Sequence, residues 1–228
     1  MSAKFDYYIG LDIGLKGGIA ILKKNKLIEL YDIPTKKIVI NKKKKNTYDI
    51  DKIIDILCSY ADKKVCFAQE AVSAFTGQGV TSSFNFGKSS GLTIGIAMAY
   101  GWEVVEIYPK TWKKFFPELK SSFFNDLKEQ QKKIRADIKI LEIDLKNIKD
   151  KSLKKPKKEE IKQLNSKVDK LGREAKKEAK VQSRELCKQL YPKNSDRFSE
   201  TSDDGKSDAV LIALAVQKNI KGDKNGMV

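Results

Sequence analysis

"FDYYIGLDIGLKGGIAIL", residues 5–22, sets two short β-type runs, 5–13 and 17–22, around the glycine-bearing link "GLKGG". The link supplies the backbone freedom that a tight reversal needs, so the pair reads as a β-hairpin. Inside the first run stands Asp12, with apolar neighbours on both sides. A carboxylate in mid-strand works against the sheet unless its charge is put to use. Asp12 is therefore a functional candidate from the outset.

Beyond the hairpin, "KLIELYDIP" (26–34) adds a third strand stopped by Pro34, and "NKKKKN" (41–46) reads as a loop carrying a basic block. "YDIDKIIDILCSYA" (48–61) has apolar residues at 50, 53, 54 and 57, a helical spacing with Asp49 or Asp51 near its start. "KVCFAQE" (64–70) is a fourth strand that ends in Glu70. After it, the polar, glycine-punctuated "AVSAFTGQGVTSSFNFGKSSG" enters a helix continuing through "LTIGIAMAYG" (92–101). "EVVEIYP" (103–109) is a fifth strand, and "KTWKKFFP" a short helix or turn ended by Pro117. The order βββαβαβ with a last helix predicts an α/β fold, a mixed sheet with helices on its faces.

Residues 120–180 differ in kind. Ile134, Ile138, Leu141, Leu145 and Ile148 form one heptad seam, and Ile161, Leu164, Val168, Leu171 and Ala175 form another. Between them lies the polar "KDKSLKKPKKEE" with Pro156, so an antiparallel coiled-coil helical hairpin is expected, zipped along the two seams. The expected division is a core of 1–119 and 180–228 with 120–179 as an inserted hairpin. Residues 120–180 hold 20 Lys and Arg against 11 Asp and Glu, nine of the sixteen net positive charges. A solvated coiled coil, a DNA-gripping arm and a dimerisation element all fit that pattern.

Composition narrows the chemistry. The 228 residues carry a net charge of +16, a field that attracts polyanions, with nucleic acid favoured because no basic amphipathic helix has an aromatic apolar face. No apolar stretch reaches the roughly 18–20 residues that cross a bilayer, and "MSAKFDYYIGLDIG" lacks a signal-peptide pattern. An intracellular location without a membrane partner is expected. Cys58, Cys66 and Cys187 are widely spaced without a C-x-x-C pair and read as small core residues. Histidine is absent, which removes Ser-His-Asp triads, Cys-His pairs and histidine zinc sites. Acid–base or metal chemistry must then use carboxylates, lysines, tyrosines or water.

The last helix supplies the remaining carboxylates. "SDDGKSDAVLIALA" (202–215) sets Asp203, Asp204 and Asp208 against an apolar run. Asp204 and Asp208 are four apart and share a helix face, where two like charges repel unless a cation lies between them or one is protonated. Capping by Ser202 or Asp203 explains one acid at a helix start but not three. Strand-borne Asp12 and Glu70 and helix-borne Asp204 and Asp208 could converge on one point. Four carboxylates there describe a site for two Mg²⁺ ions, with Mn²⁺ able to substitute, and phosphoryl transfer as the chemistry.

Five motifs, "IGLDIGLKGGIAIL", "EAVSAFTGQGVTSSFNFGKSSG", "VVEIYPKTWKK", "QSRELCKQLYP" and "DDGKSDAVLIALA", resemble RuvC-type Holliday junction resolvases in kind and in order. The similarity spans about 5–116 and 181–218, and is nearest to the phage and bacterial branch with a GQG-S-x-F-x-FG loop after its second acid. It implies a ribonuclease H-like fold and Mg²⁺-dependent nicking of four-way DNA junctions by a homodimer. By position, Asp12, Glu70, Asp204 and Asp208 match the family's four catalytic, metal-binding acids, with Asp203 a rival for the third place. The 120–180 segment has no counterpart in that pattern.

DNA contacts are expected around the loop. Gly77 and Gly79 permit close backbone approach, and Thr81, Ser82, Ser83, Ser89 and Ser90 can donate to phosphate oxygens. Phe75 is the candidate wedge against an unpaired base, whereas Phe84 and Phe86 read as a packed helix start. Lys88 and Lys113 are the candidate phosphate contacts. "GKSS" (87–90) is not a P-loop, because position 82 is Ser where the motif needs Gly. The expected function is a structure-selective endonuclease that resolves four-way junctions by paired symmetric nicks. The alternatives are a related nuclease acting on RNA–DNA hybrids or other branched DNA, and a non-catalytic nucleic-acid-binding protein.

Overall fold

The computed structural model describes residues 4–40, 42–71 and 79–222. The fold is α/β. Strands β1 (Tyr7–Asp12), β2 (Gly18–Lys23), β3 (Lys26–Asp32), β6 (Val65–Glu70) and β7 (Glu103–Ile107) form one mixed sheet in the order β3-β2-β1-β6-β7. The β1–β2–β3 meander is antiparallel, while β1–β6 and β6–β7 are parallel. Two further strands, β4 (Thr35–Ile40) and β5 (Lys43–Tyr48), pair antiparallel as a separate two-stranded ribbon. The basic block expected as a loop is thus the returning strand of a hairpin. Lys42 sits at its turn with φ 60°, a left-handed conformation that costs a non-glycine residue roughly 1–2 kcal/mol.

Alternation along β1 sorts the two faces of the sheet. Ile9, Leu11, Ile19, Ile21, Val65 and Phe67 are buried in one cluster with Ile53 and Leu57 of α1 (Ile50–Cys58) and with Ala97 of α2 (Val80–Ala99). The opposite face carries small residues, Gly10, Ala20 and Ala68, and receives α6 (Asp204–Gly222). Helix α6 is buried on all sides from Ala209 to Val216, which explains its apolar run. Its approach depends on missing side chains. A Cβ at Gly10 would overlap the Ala209 carbonyl oxygen and stand 2.8 Å from the Ala213 nitrogen. One at Gly18 would stand 2.6 Å from the Lys206 Cα.

Residues up to Pro117 together with those from Ser183 form one compact unit, and Glu118–Gln182 form a second. The second unit is built from α4 (Ser122–Asn147) and the turns of α5 (Lys151–Leu190) up to Gln182. Pro156 does not mark the break between them, as expected, but lies inside α5; the helices part at 148–150. Contacts Ser121–Glu178, Gln131–Val168 and Asp144–Lys157 pair rising with falling numbers, so the two helices run antiparallel. Leu127, Leu171 and Ala175 are buried between them, with Phe124 and Ile134 packed alongside. Gln131 is also buried there and donates to the Val168 carbonyl at 2.8 Å. Cys66 and Cys187 are buried, but Cys58 is exposed, contrary to its reading as a core residue.

Candidate active site

The β1–β6 register pairs Leu11 with Gln69, so the next step sets Asp12 beside Glu70 at the ends of two parallel neighbours. Adjacent strands lie about 4.8 Å apart and in-register side chains project from one face. That face is the one covered by α6, since Gly10, two residues before Asp12, touches Ala209 and Ala213. A parallel bridge joins Gly17, in the β1–β2 link, to Gly205 in the first turn of α6. The same packing that seats the helix therefore brings its acidic start to the carboxylate end of β1 and β6. Asp12, Glu70, Asp204 and Asp208 are all half-buried.

Each acid has protein surroundings that set its charge. Burial pushes the Glu70 carboxyl above the usual carboxylate range, and the negative charge of Asp208 adds to the rise. The Trp112 indole N–H, donating to Glu70 Oε1 at 3.3 Å, and the nearby Lys113 ammonium oppose it. Trp112 closes α3 (Pro109–Trp112), and Lys113 lies over the Trp112 ring, 4.9 Å from its centre. The segment after the fifth strand thus places one indole donor and one cation at the second acid. Burial also raises the Tyr48 phenol, with the Asp12 charge adding to the rise and a Ser89 hydrogen bond opposing it. Burial and the Asp208 charge together raise the Cys187 thiol, which is inert as a nucleophile.

The two aspartates at the helix start separate clearly. The Asp203 carboxylate accepts from the Glu200 backbone N–H at 2.8 Å in a capping box and pairs with Lys206 Nζ at 2.8 Å. Burial alone would raise its carboxyl, but Lys206, the Glu200 N–H and the Arg184 charge outweigh it and hold it below the usual range. Lys206 also reaches Asp32 at 3.3 Å, which pins the helix start to the end of β3. Asp203 is therefore a capping residue. Asp204 forms an ion pair with Arg184, both largely buried.

Among the described residues, no group of three or more His, Cys, Asp or Glu side chains is arranged to hold a metal ion. The backbone gathers the acids at one end of the sheet, while the side chains of Glu70 and Asp204 are turned to Trp112 and Arg184.

The expected DNA contacts divide into three groups. Phe75 and Gly77 lie outside the described residues, as does the side chain of Ser82. Gly79 is the N-cap of α2 and has nothing within 4 Å of where its Cβ would be, Ser83 lies half-buried in the first turn, and Lys88 is exposed. Ser89 and Ser90, read as phosphate donors, are instead buried. Ser89 donates to the Asn85 carbonyl at 2.8 Å, and Ser90 accepts from Gln69 at 2.6 Å in a network that includes Thr93. The Ser90 and Thr93 hydroxyls satisfy Gln69, which sits in the sheet beside Glu70 and would otherwise be a buried orphan. Phe86 packs on the core as expected, but Phe84 is 68% exposed and so offers a free aromatic face.

Three residues beside the acids were not singled out from the sequence: Trp112 and Arg184, which bond to Glu70 and Asp204, and Tyr48, which feels the Asp12 charge. Arg184 had a usable signal. The chain has 46 basic residues, of which four are Arg, and the guanidinium fork is the group that holds a half-buried carboxylate. No protein-family model matches the chain, and no curated protein is detectably similar to it.

Proposed function

We propose that the chain is a divalent-cation-dependent, structure-selective endonuclease of the RuvC type that resolves four-way DNA junctions, built on a ribonuclease H-like core with an inserted coiled-coil hairpin. The reading is carried by one observation: Asp12 and Glu70 end neighbouring parallel strands side by side, and the acidic first turns of α6 are packed against them. It is supported by the mixed sheet flanked by helices, the five motifs in family order, and the +16 charge.

Oxygen-only donors suit Mg²⁺ or Mn²⁺ and no softer metal. Glu70, raised by burial and by Asp208, is the kind of carboxylate whose protonation a cation reverses. Asp12, Glu70 and Asp208 would hold the ions, with Asp204 joining them on exchange from Arg184. Two bound ions would supply Lewis-acid activation of water and charge neutralisation on a phosphodiester. The rest falls to the chain. Lys113, already beside Glu70, would orient a phosphate there, Lys88 and the open backbone at Gly79 would contact the neighbouring strand, and the positive field would concentrate DNA. A two-fold substrate cut symmetrically calls for a homodimer with one site per subunit.

The test is one gel with a synthetic four-way junction, Mg²⁺ against EDTA, and wild type against Asp12→Asn. Paired symmetric nicks in the wild-type Mg²⁺ lane alone, with junction binding kept by the variant, are expected. Nicks that persist in Asp12→Asn would overturn the assignment, and stronger cleavage of an RNA–DNA hybrid would redirect it to that substrate. One observation favours a second reading, a non-catalytic nucleic-acid-binding protein. Glu70, Asp203 and Asp204 all have protein partners that account for them structurally. That reading expects junction binding with no nicking in any lane.

A further inference from the structure

A cavity of about 540 Å³ opens between the β4–β5 ribbon and α2, within the range of volumes that bind small organic groups. Besides aliphatic side chains, its lining carries three chemistries: the aromatic residues Tyr48 and Phe86, the amide residues Asn46 and Asn85, and the basic residues Lys45 and Lys88. Gly14, two residues after Asp12, also lines it, and Tyr48 feels the Asp12 charge. The cavity therefore adjoins the carboxylate end of β1. The ribbon beside it presents Lys42, Lys43, Lys44 and Lys45 in succession, all exposed.

From this we infer that the cavity receives a single unstacked nucleotide of a DNA strand whose neighbouring phosphodiester lies at Asp12 and Glu70. The inference rests on the nuclease reading and deepens it by naming how the substrate strand is seated. Aromatic faces hold a base irrespective of sequence, amides can pair with its edge, and flanking lysines hold the phosphates on either side. Charge selects the occupant. No acidic side chain among the described residues lines the cavity, and the lysine ribbon favours a polyanion over a neutral or cationic ligand. A base is extruded at least cost where the duplex is already interrupted, as at a branch point. The ribbon and α2 would then contribute structure selectivity that the acids alone cannot supply.

The experiment measures binding in EDTA, with no cleavage step, of full-length protein to four-way junctions carrying one abasic nucleotide at successive positions around the crossover. For the wild type, one position is expected to weaken binding about 5- to 150-fold, the loss that removing one base–aromatic stack gives. Leu92→Trp, which fills the cavity from its α2 wall, is expected to weaken binding of the intact junction to a similar degree. An abasic nucleotide at that same position should restore it, because the added ring then has space. Rescue at one position cannot come from a misfolded variant. A flat abasic scan, or a Leu92→Trp loss that no abasic position rescues, overturns the inference while leaving the nuclease reading to the nicking assay. Loss of nicking with an intact abasic signature would have the opposite meaning: the nucleotide seat stands and the catalytic assignment falls. A chain that binds no DNA overturns both.

Discussion

Glu70 shows how one position reports on the site. Its carboxyl is raised by burial and by Asp208, so in the absence of a cation the ionised form is disfavoured in the fold relative to the unfolded chain. The sign follows from linkage: this group's contribution is fully present below the ordinary glutamate range and is lost as pH rises through its higher folded-state value. Glu70→Gln should therefore raise the Tm measured at neutral pH in EDTA, and lose that advantage as the pH is lowered. The same variant should nick junctions at least about 100-fold more slowly, a loss at the upper end of those produced by removing even an indirect metal-site partner. Arg184 makes the complementary case. Arg184→Ala leaves Asp204 largely buried without its cation, which should cost about 3–5 kcal/mol in urea unfolding. Mg²⁺ should then raise the Tm of Arg184→Ala by more than it raises that of wild type, because the released carboxylate gains a cation. Asp12 stood out in the sequence because an acid inside an apolar β-type run has no structural use there, and the strand in fact ends at it. The pairing of Arg184 with Asp204 did not stand out, because the two lie 20 residues apart and meet only after a capped turn and a new helix have formed.

Among the elements, short apolar β-type runs marked the five strands of the main sheet, whose central members are buried on both faces, and helical spacing marked α1. The β4–β5 ribbon escaped that reading for a definite reason. Its strands, "TKKIVI" and "KKKNTY", hold five lysines in twelve residues, and their turn lacks the Asn-Gly or Asp-Gly signal that marks a two-residue reversal. Pro156 misled in the other direction. It removes one hydrogen bond near the start of α5, but a 40-residue helix with a packed partner absorbs that loss. Contact between β1 and α6 is the element-level feature on which the site depends. Gly10→Val would place side-chain atoms inside the Ala209 carbonyl. We expect it to cost about 1–3 kcal/mol or more by overpacking, and to depress nicking even under conditions where the protein remains folded. Urea unfolding and single-turnover cleavage on the same preparation would check both halves of that expectation.

For the whole molecule, the +16 charge is the dominant property, and its consequence is a salt dependence. If six to ten phosphates are neutralised, junction affinity should fall about 10³- to 10⁵-fold between 50 and 200 mM salt. A slope much shallower than that would mean that most of the lysines, including those of Glu118–Gln182, never meet DNA. Charge and composition by themselves favour a polyanion over other partners and leave this sequence no histidine chemistry. They are silent on where on the surface the partner binds, because lysines are spread over both compact units. That side chains from β1, β6 and α6 surround divalent cations can be checked by soaking crystals in Mn²⁺ and calculating an anomalous difference map. The expected result is a peak between Asp12 and Glu70, within about 2.0–2.6 Å of their carboxylate oxygens, that disappears in Asp12→Asn. A featureless map at that end of the sheet, in crystals whose lattice leaves it open to solvent, would contradict the proposed metal site.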